Sequence, residues 1–145
     1  MKKKLIMFCL AAVLSLSTML FNVESAMAAT FRYDGTDPYS TGCARSAVTV
    51  DSLNLNGATL ELRYSTSCRT IWTRITQPVP RDYDWGGSEA KIVRNYDGKS
   101  YRCTVQMWKN SCNTLQVNDA NMTSYAWGMY DKPLGPVVTG RTGSY

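Results

Sequence analysis

A two-residue alternation of apolar and polar side chains runs through the middle of the chain. Leu60, Leu62 and Tyr64 lie on one side of an extended segment, and charged residues lie between them. After a short turn, residues 71–75 repeat the alternation, with isoleucines on one side. Because successive side chains of a strand point to opposite faces, this stretch predicts a strand, a turn and a second strand.

Short apolar runs bounded by Gly, Asn or Pro continue along the chain. They predict further strands within residues 44–55, 89–95, 100–108, 112–117 and 124–130, and a short one at 137–138. Asp97-Gly98 stands between two of these runs and predicts a tight hairpin with a type I′ turn. No window places apolar residues at helical spacing over three turns. The pattern predicts an all-β fold, a small antiparallel β-sandwich or barrel.

The first 28 residues have the pattern of a secretory signal peptide. The three lysines Lys2–Lys4 precede a long apolar run, and Ala26-Met27-Ala28 offers a cleavage site before Ala29. The alternative is a transmembrane anchor, but a membrane span needs about 20 apolar residues and this run is shorter. We therefore predict a signal peptide over 1–28, a single secreted β domain over 29–145, and no membrane span after processing.

The number and distribution of charged residues limit the kinds of molecule that the chain can bind. Of the 16 basic residues 13 remain after the predicted cleavage, and of the 11 acidic ones 10 remain, so the mature chain carries about +3. The basic residues are scattered, whereas a nucleic-acid-binding surface needs a cluster of them. We expect a monomer with no nucleic-acid partner. Weak attraction to an anionic surface, such as a Gram-positive cell wall, remains allowed.

The chain has no histidine, and so it lacks the commonest general base and the commonest zinc ligand. Four cysteines follow the predicted cleavage site: Cys43, Cys68, Cys103 and Cys112. An even number in a small exported domain indicates two disulfides, with three possible pairings. Zinc binding is the alternative, but no Cys-x-x-Cys spacing supports it. We expect no cofactor and no hydrolase that depends on a single Ser or Cys nucleophile.

Two neighbouring carboxylates offer a weak metal site. Asp34 and Asp37 flank Gly35-Thr36, a spacing at which two carboxylates can share a calcium ion. The further oxygen ligands of an EF-hand loop are missing. Asp side chains that cap their own turn explain the same residues, and we favour this second interpretation.

Four tryptophans and nine tyrosines are many aromatic residues for a small domain. We expect core packing to account for most of the tryptophans, but some are candidates for a ligand-binding surface. Trp72 shares a side of its strand with Arg74, whose cation could stack on the ring. Trp108 falls on the polar side of its predicted strand. Tyr83 and Trp85 lie in a loop rich in glycine and charged residues, a common place for ligand contacts.

A carboxylate-dependent hydrolase is the catalytic alternative. A pair of acids acting on a glycosidic bond would have to come from a set of five: Asp51, Glu61, Asp82, Asp84 and Glu89. Their separation in space does not follow from the sequence, and each also fits a solvated strand or loop position. We therefore expect the protein not to be an enzyme.

The chain resembles a family of small secreted proteins of unknown function from Gram-positive bacteria. Four motifs carry the resemblance: G-x-D-P at 35–38, T-G-C at 41–43, L-x-L-R-Y-S at 60–65 and C-R-x-x-W-x-R-I at 68–75. The resemblance covers about Asp34 to Ile75 and gives no firm match beyond Gln77. Many relatives carry a further cysteine just before G-x-D-P, where this chain has Phe31 and Tyr33.

Membership of this family implies an exported module without an agreed activity. It also implies a pairing of the cysteines, because Cys43 and Cys68 belong to one motif set. The resemblance thus predicts the disulfides Cys43–Cys68 and Cys103–Cys112.

Taken together, these features favour a secreted, non-catalytic extracellular binding module for a cell-wall glycan or a surface protein. Two alternatives remain. One is the carboxylate-dependent hydrolase, which needs two acids that converge in a cleft. The other is a toxin, virulence or inhibitor protein that presents an exposed loop such as 81–88. A flat aromatic face in the structure would favour the binding module.

Overall fold

The alternating segments form antiparallel strands. The computed structural model describes residues 31–82 and 87–145, and these contain a 3-10 turn at Cys43–Ser46 and nine strands. The strands are β1 (Ala47–Leu55), β2 (Ala58–Ser65), β3 (Thr70–Thr76), β4 (Glu89–Arg94), β5 (Ser100–Thr104), β6 (Ser111–Asn113), β7 (Val117–Asn118), β8 (Ser124–Asp131) and β9 (Val137–Arg141). The predicted all-β fold is confirmed.

The strands are arranged in two sheets. Sheet one has the order β1-β2-β3-β6, with β7 also paired to β3, and sheet two has the order β5-β4-β8-β9. In sheet one, Leu60 lies opposite Ile75 and Leu62 lies opposite Thr73. The strand, turn and strand predicted around Cys68 are therefore present as β2 and β3.

The hydrophobic core lies between the two sheets. Sheet one contributes large residues, among them Leu55, Leu60, Leu62, Ile71 and Ile75. Sheet two contributes mostly small ones from β4 and β8, Ala90 and Ala126 beside Gly128, together with Ile92 and Tyr130. A Cβ atom at Gly128 would stand 2.6 Å from a methyl carbon of Leu60. The Leu60 side chain therefore packs directly on the backbone of Gly128 and would have to move if a larger residue stood there.

The hairpin between β4 and β5 differs from the prediction. Gly98 has a positive φ of 70°, but Asp97 is not among the residues with positive φ, so the turn is not type I′. The loop comprises residues 95–99, between the end of β4 and the start of β5. Within it the Gly98 N–H donates to the Arg94 carbonyl, and the Asp97 carboxylate binds the Arg94 guanidinium. The predicted strand at 100–108 also ends earlier, at Thr104.

Two disulfides, Cys43–Cys68 and Cys103–Cys112, join the elements, and the predicted pairing is confirmed. The first ties the 3-10 turn to the turn between β2 and β3. The second ties β5 of sheet two to β6 of sheet one. No helix in the described part of the chain is long and apolar enough to cross a membrane. The predicted signal peptide lies outside the described residues.

A segment at residues 33–46, which we call the N-terminal cover, lies over the outer face of sheet one. Gln116 holds it in place by donating hydrogen bonds to the hydroxyls of Thr36 (2.9 Å) and Thr41 (3.0 Å). The same amide accepts a hydrogen bond from Thr70, which lies on the outer face of β3. The N-terminal cover, which belongs to neither sheet, is thus anchored at Thr70 on the outer face of sheet one.

Candidate functional site

The structure buries one predicted ligand-binding residue of sheet one. Trp72 lies on the outer face of β3, opposite Arg63, yet it is only 1% exposed. Its ring therefore offers no open surface for stacking with a ligand. Arg74 lies on the same face, with its Nε 3.7 Å from a carboxylate oxygen of Glu61.

The loop between β5 and β6 exposes another predicted residue. Trp108 is 61% exposed and has a positive φ of 63°, an unusual conformation for a large side chain. Its N–H donates to the Arg81 carbonyl at 3.0 Å, which joins this loop to the one before β4. Tyr83 and Trp85 lie outside the described residues, and their role in ligand binding remains a prediction.

Asp34 and Asp37 each hold part of the backbone or a neighbouring cation. The Asp34 carboxylate accepts a hydrogen bond from the Asn118 N–H at 2.6 Å and pairs with Arg94 at 2.8 Å. Asp37 accepts hydrogen bonds from two N–H groups of its own turn. Among the described residues, no three acidic or cysteine side chains cluster as they would around a metal ion. Only Asp37 caps its own turn, whereas the Asp34 carboxylate binds groups far along the chain. The calcium hypothesis stays a prediction.

Arg94 is the centre of a buried ionic network. Its guanidinium pairs with Asp34 at 2.8 Å and with Asp97 at 2.7 Å. Burial alone would lower the pKa of Arg94, but the hydrogen bonds and charges of the two carboxylates outweigh it, so the pKa is raised. The hydrogen bond from Arg94 lowers the pKa of Asp97 to about 2. The network fastens the N-terminal cover to the β4–β5 loop.

Asp119 is a titratable residue that the sequence analysis did not single out. Burial raises its pKa to about 6, although a hydrogen bond from the Ser124 hydroxyl at 2.7 Å acts in the opposite direction. Because Asp119 is only 6% exposed, a substrate has little access to it. Its Asn-Asp-Ala-Asn surroundings resemble an ordinary loop, and no sequence signal marks its burial.

The outer face of sheet two brings together side chains that the sequence analysis also missed. Lys91 on β4 lies opposite Arg102 on β5 and opposite Trp127 on β8. Trp127 in turn lies opposite Arg141 on β9. A single row therefore crosses all four strands. We call this surface the Trp127 face and define it by six residues: Lys91, Val93, Arg102, Tyr125, Trp127 and Arg141.

The Trp127 face is open, aromatic and largely cationic. Five of its residues, all except Arg141, line a shallow depression of about 170 Å³. The Arg141 guanidinium lies 5.1 Å from the centre of the Tyr125 ring, within the range of a cation–π contact. Arg102 is paired with Glu89 through an Nε to oxygen distance of 3.0 Å. Lys91 and Arg141 thus flank the Trp127 ring from neighbouring strands.

Strand β8 carries mostly small residues on its inward side and mostly large ones on its outward side. Ala126, Gly128 and Tyr130 are buried, whereas Tyr125, Trp127 and Met129 are partly exposed. Leu60 occupies the space facing Gly128, and the large residues Tyr125 and Trp127 lie on the other side of the strand. The alternation of small and large residues over 124–129 is visible in the sequence, and Tyr130 interrupts it. It could have identified this face if the small residues had been assigned to the core.

The chain is similar to proteins that are described as uncharacterized or of unknown function. The family described as "Protein of unknown function (DUF2690)" matches residues 31–135. The chain is 35% identical over 161 aligned positions to "Uncharacterized protein YjfA" of Bacillus subtilis (strain 168), covering 100% of this chain and 97% of that protein. No solved structure matches. The family match reaches far beyond Gln77, where the motif resemblance ended, and includes most of the Trp127 face.

Proposed function

The chain belongs to the family of unknown function DUF2690, and we propose that it is a secreted, non-catalytic module that binds a cell-wall glycan through the Trp127 face. One observation carries the proposal: sheet two turns small residues toward the core and places Tyr125 and Trp127 outward, beside Lys91 and Arg141. Exposed aromatic surface flanked by polar groups is typical of an interaction site. A flat ring suits a sugar ring, which has an apolar face of similar extent.

Export of the protein is supported by two features. The N-terminal sequence combines three lysines, an apolar run and the Ala26-Met27-Ala28 cleavage pattern. The mature domain carries two disulfides, which form and persist in oxidising compartments outside the cytosol. A secreted domain of this kind would meet the cell wall as its nearest polymer.

The absence of catalysis is supported by the contacts of the acidic residues. Glu61 pairs with Arg63, Glu89 pairs with Arg102, and Asp51 accepts a hydrogen bond from the Gly143 N–H. Each of these three carboxylates is thus engaged in a contact within its own sheet or with the C-terminal segment, and the candidate Asp84 lies outside the described residues. The hydrolase hypothesis would need two acids with different pKa values that face one cleft.

A sedimentation assay tests the proposal. Mature protein is mixed with purified Gram-positive cell walls, and the bound fraction is measured across protein concentrations. Trp127→Ala should weaken binding by about 1–3 kcal/mol, as expected for an aromatic anchor of an interface. Trp108→Ala is the matched control, because it removes an exposed tryptophan from a different part of the molecule. Thermal unfolding of both variants checks that they are folded.

The opposite pattern would contradict the proposal. If Trp108→Ala abolishes binding and Trp127→Ala retains it, the binding surface is the β5–β6 loop. If both variants bind cell walls as tightly as the parent protein, neither tryptophan anchors the ligand and the Trp127 face is not the site.

A further inference from the structure

We infer that the glycan bound at the Trp127 face is acidic, with carboxylate-bearing sugars alternating with uncharged sugars, and that it lies across the strands of sheet two. This inference rests on the proposed function and adds the chemical class and direction of the ligand. Three observations carry it: the order of side chains along the row, the pairing state of each cation, and the spacing of the strands.

The row sets the direction of the ligand. From β5 to β9 it runs Arg102, Lys91, Trp127 and Arg141, with one residue from each strand. Neighbouring strands lie about 4.8 Å apart. A pyranose ring in an extended glycan has a similar length, so a glycan that crosses the strands places about one sugar over each of them.

The order of side chains sets the pattern of charge. A sugar over Trp127 would present its apolar face to the indole ring and needs no charge. The sugars on either side of it would lie over Lys91 and Arg141, each of which can bind a carboxylate. One step beyond Lys91, the Arg102 guanidinium is already bound to Glu89, so its charge is partly neutralised. The row therefore matches a sequence of uncharged, acidic, uncharged and acidic sugars.

The aromatic platform argues for a polysaccharide rather than a linear polyol phosphate. Both polymers carry regular negative charge, and Lys and Arg bind phosphate as well as carboxylate. A linear polyol has no ring to stack on Trp127, whereas the alternate, uncharged sugars of an acidic polysaccharide each have one.

The position of negative charge on the outer side of sheet two also matters. Asp131 lies two residues beyond Met129 on β8, toward the far end of the strand. This leaves the row itself cationic.

Isothermal titration calorimetry with three probes tests the inference at low salt. The first probe is an oligosaccharide of alternating glucuronate and N-acetylglucosamine. The second is the same oligosaccharide with each carboxylate reduced to a primary alcohol. The third is polyglycerol phosphate. We expect the acidic oligosaccharide to bind about tenfold more tightly than its reduced form, because two charge pairs contribute. It should also bind more tightly than polyglycerol phosphate.

Substitutions in the row assign the charges. Lys91→Gln and Arg141→Gln should each weaken binding of the acidic probe about threefold, the value expected for one exposed charge pair, and leave binding of the reduced probe unchanged. Lys109→Gln, at an exposed lysine on the β5–β6 loop, is the matched control and should change neither. Trp127→Ala should weaken binding of both oligosaccharides.

Each remaining outcome overturns the inference in a distinguishable way. If both oligosaccharides bind equally and Trp127→Ala weakens both, the face binds glycans but does not select acidic ones. If neither oligosaccharide binds while cell-wall binding still depends on Trp127, the proposed function stands and this ligand class is wrong. If polyglycerol phosphate binds most tightly and Trp127→Ala has no effect on it, the site is a phosphate site and both statements fail.

Discussion

The two outer faces of the sandwich share a sequence pattern but differ in the exposure of their tryptophans. Each has a tryptophan on its outer side with cations nearby, Trp72 in sheet one and Trp127 in sheet two. Trp72 is buried, whereas Trp127 is partly exposed. We attribute the difference to the N-terminal cover, which is anchored through Gln116 at Thr70, two residues from Trp72 on the same face of β3. An outward position on a strand therefore does not by itself identify a ligand-binding residue.

Polar contacts hold the cover in place. The Gln116 side chain is fully buried and uses both its amide nitrogen and its oxygen in hydrogen bonds to three threonines. Buried polar groups that are satisfied in this way specify one arrangement, whereas the loss of one partner leaves a costly unpaired group. The Arg94 network and the Cys43–Cys68 disulfide fix the two ends of the same segment. Sheet two has no comparable segment among the described residues.

The largest difference between the faces should appear when each tryptophan is truncated. Trp72→Ala removes a buried ring and should lower the free energy of unfolding by about 3–5 kcal/mol. Trp127→Ala removes a partly exposed ring and should lower it by about 1 kcal/mol or less. Urea unfolding of both variants measures the contrast. Equal losses would show that Trp127 is as deeply packed as Trp72 and would remove the basis for a ligand-binding face.

The second effect concerns the disulfide that fastens the cover. Replacing both Cys43 and Cys68 with serine should cost about 3 kcal/mol, because the bond closes a loop with a sequence separation of 25 residues. It should also loosen the cover and increase quenching of tryptophan fluorescence by acrylamide. The matched variant replaces Cys103 and Cys112, which close a shorter loop and do not hold the cover. Similar quenching in both variants would argue against the cover as the shield of Trp72.

The third effect is a pH dependence from the buried groups. The pKa of Asp119 is raised to about 6 from its ordinary 3.8. Between pH 4 and 6, therefore, the Asp119 carboxyl is protonated in the folded state and ionised in the unfolded state. Stability should therefore fall as pH rises through this window, by about 2–3 kcal/mol in total. Asp97 acts in the opposite direction, since its pKa is lowered to about 2, and its contribution is lost as pH falls from 4 to 2.

Urea unfolding between pH 2 and pH 8 should thus show a maximum of stability near pH 4. Asp119→Asn should flatten the decline between pH 4 and 6, and Asp97→Asn should flatten the decline on the acid side. The cations of the Trp127 face are not involved, so Lys91→Gln is a suitable control and should keep the full profile. An unchanged decline in Asp119→Asn would assign the effect to another group.

The strands could be predicted from the sequence because alternation is a local property. The β2–β3 pair, the core positions Leu60 and Leu62, and the all-β class follow from neighbouring residues alone. The disulfide pairing followed from resemblance to a family, since four cysteines allow three pairings. These predictions needed no knowledge of how distant parts of the chain meet.

The state of each outer face could not be predicted because it depends on distant contacts. The hydrogen bond from Gln116 to Thr36 joins residues 80 positions apart, and the bond from Arg94 to Asp34 joins residues 60 positions apart. Neither pair has a local pattern that marks it. The wrong prediction of a type I′ turn at Asp97-Gly98 has the same cause. The Asp97 side chain binds Arg94, which also binds the distant Asp34.

The smallest effect is expected at Gly98, in the loop of sheet two that carries Asp97. Its φ of 70° lies in the left-handed region, and a Cβ added there would meet no atom within 4 Å. Only the backbone cost remains, so Gly98→Ala should destabilise the protein by about 1 kcal/mol. Gly98→Asn should cost less, since Asn tolerates this conformation, and Gly98→Val should cost more. This loop supplies one carboxylate to Arg94, which also binds Asp34 of the cover. The three variants should therefore follow the same order in acrylamide quenching of tryptophan fluorescence. An order in which Asn is the most destabilising would mean that φ is negative at this position in solution.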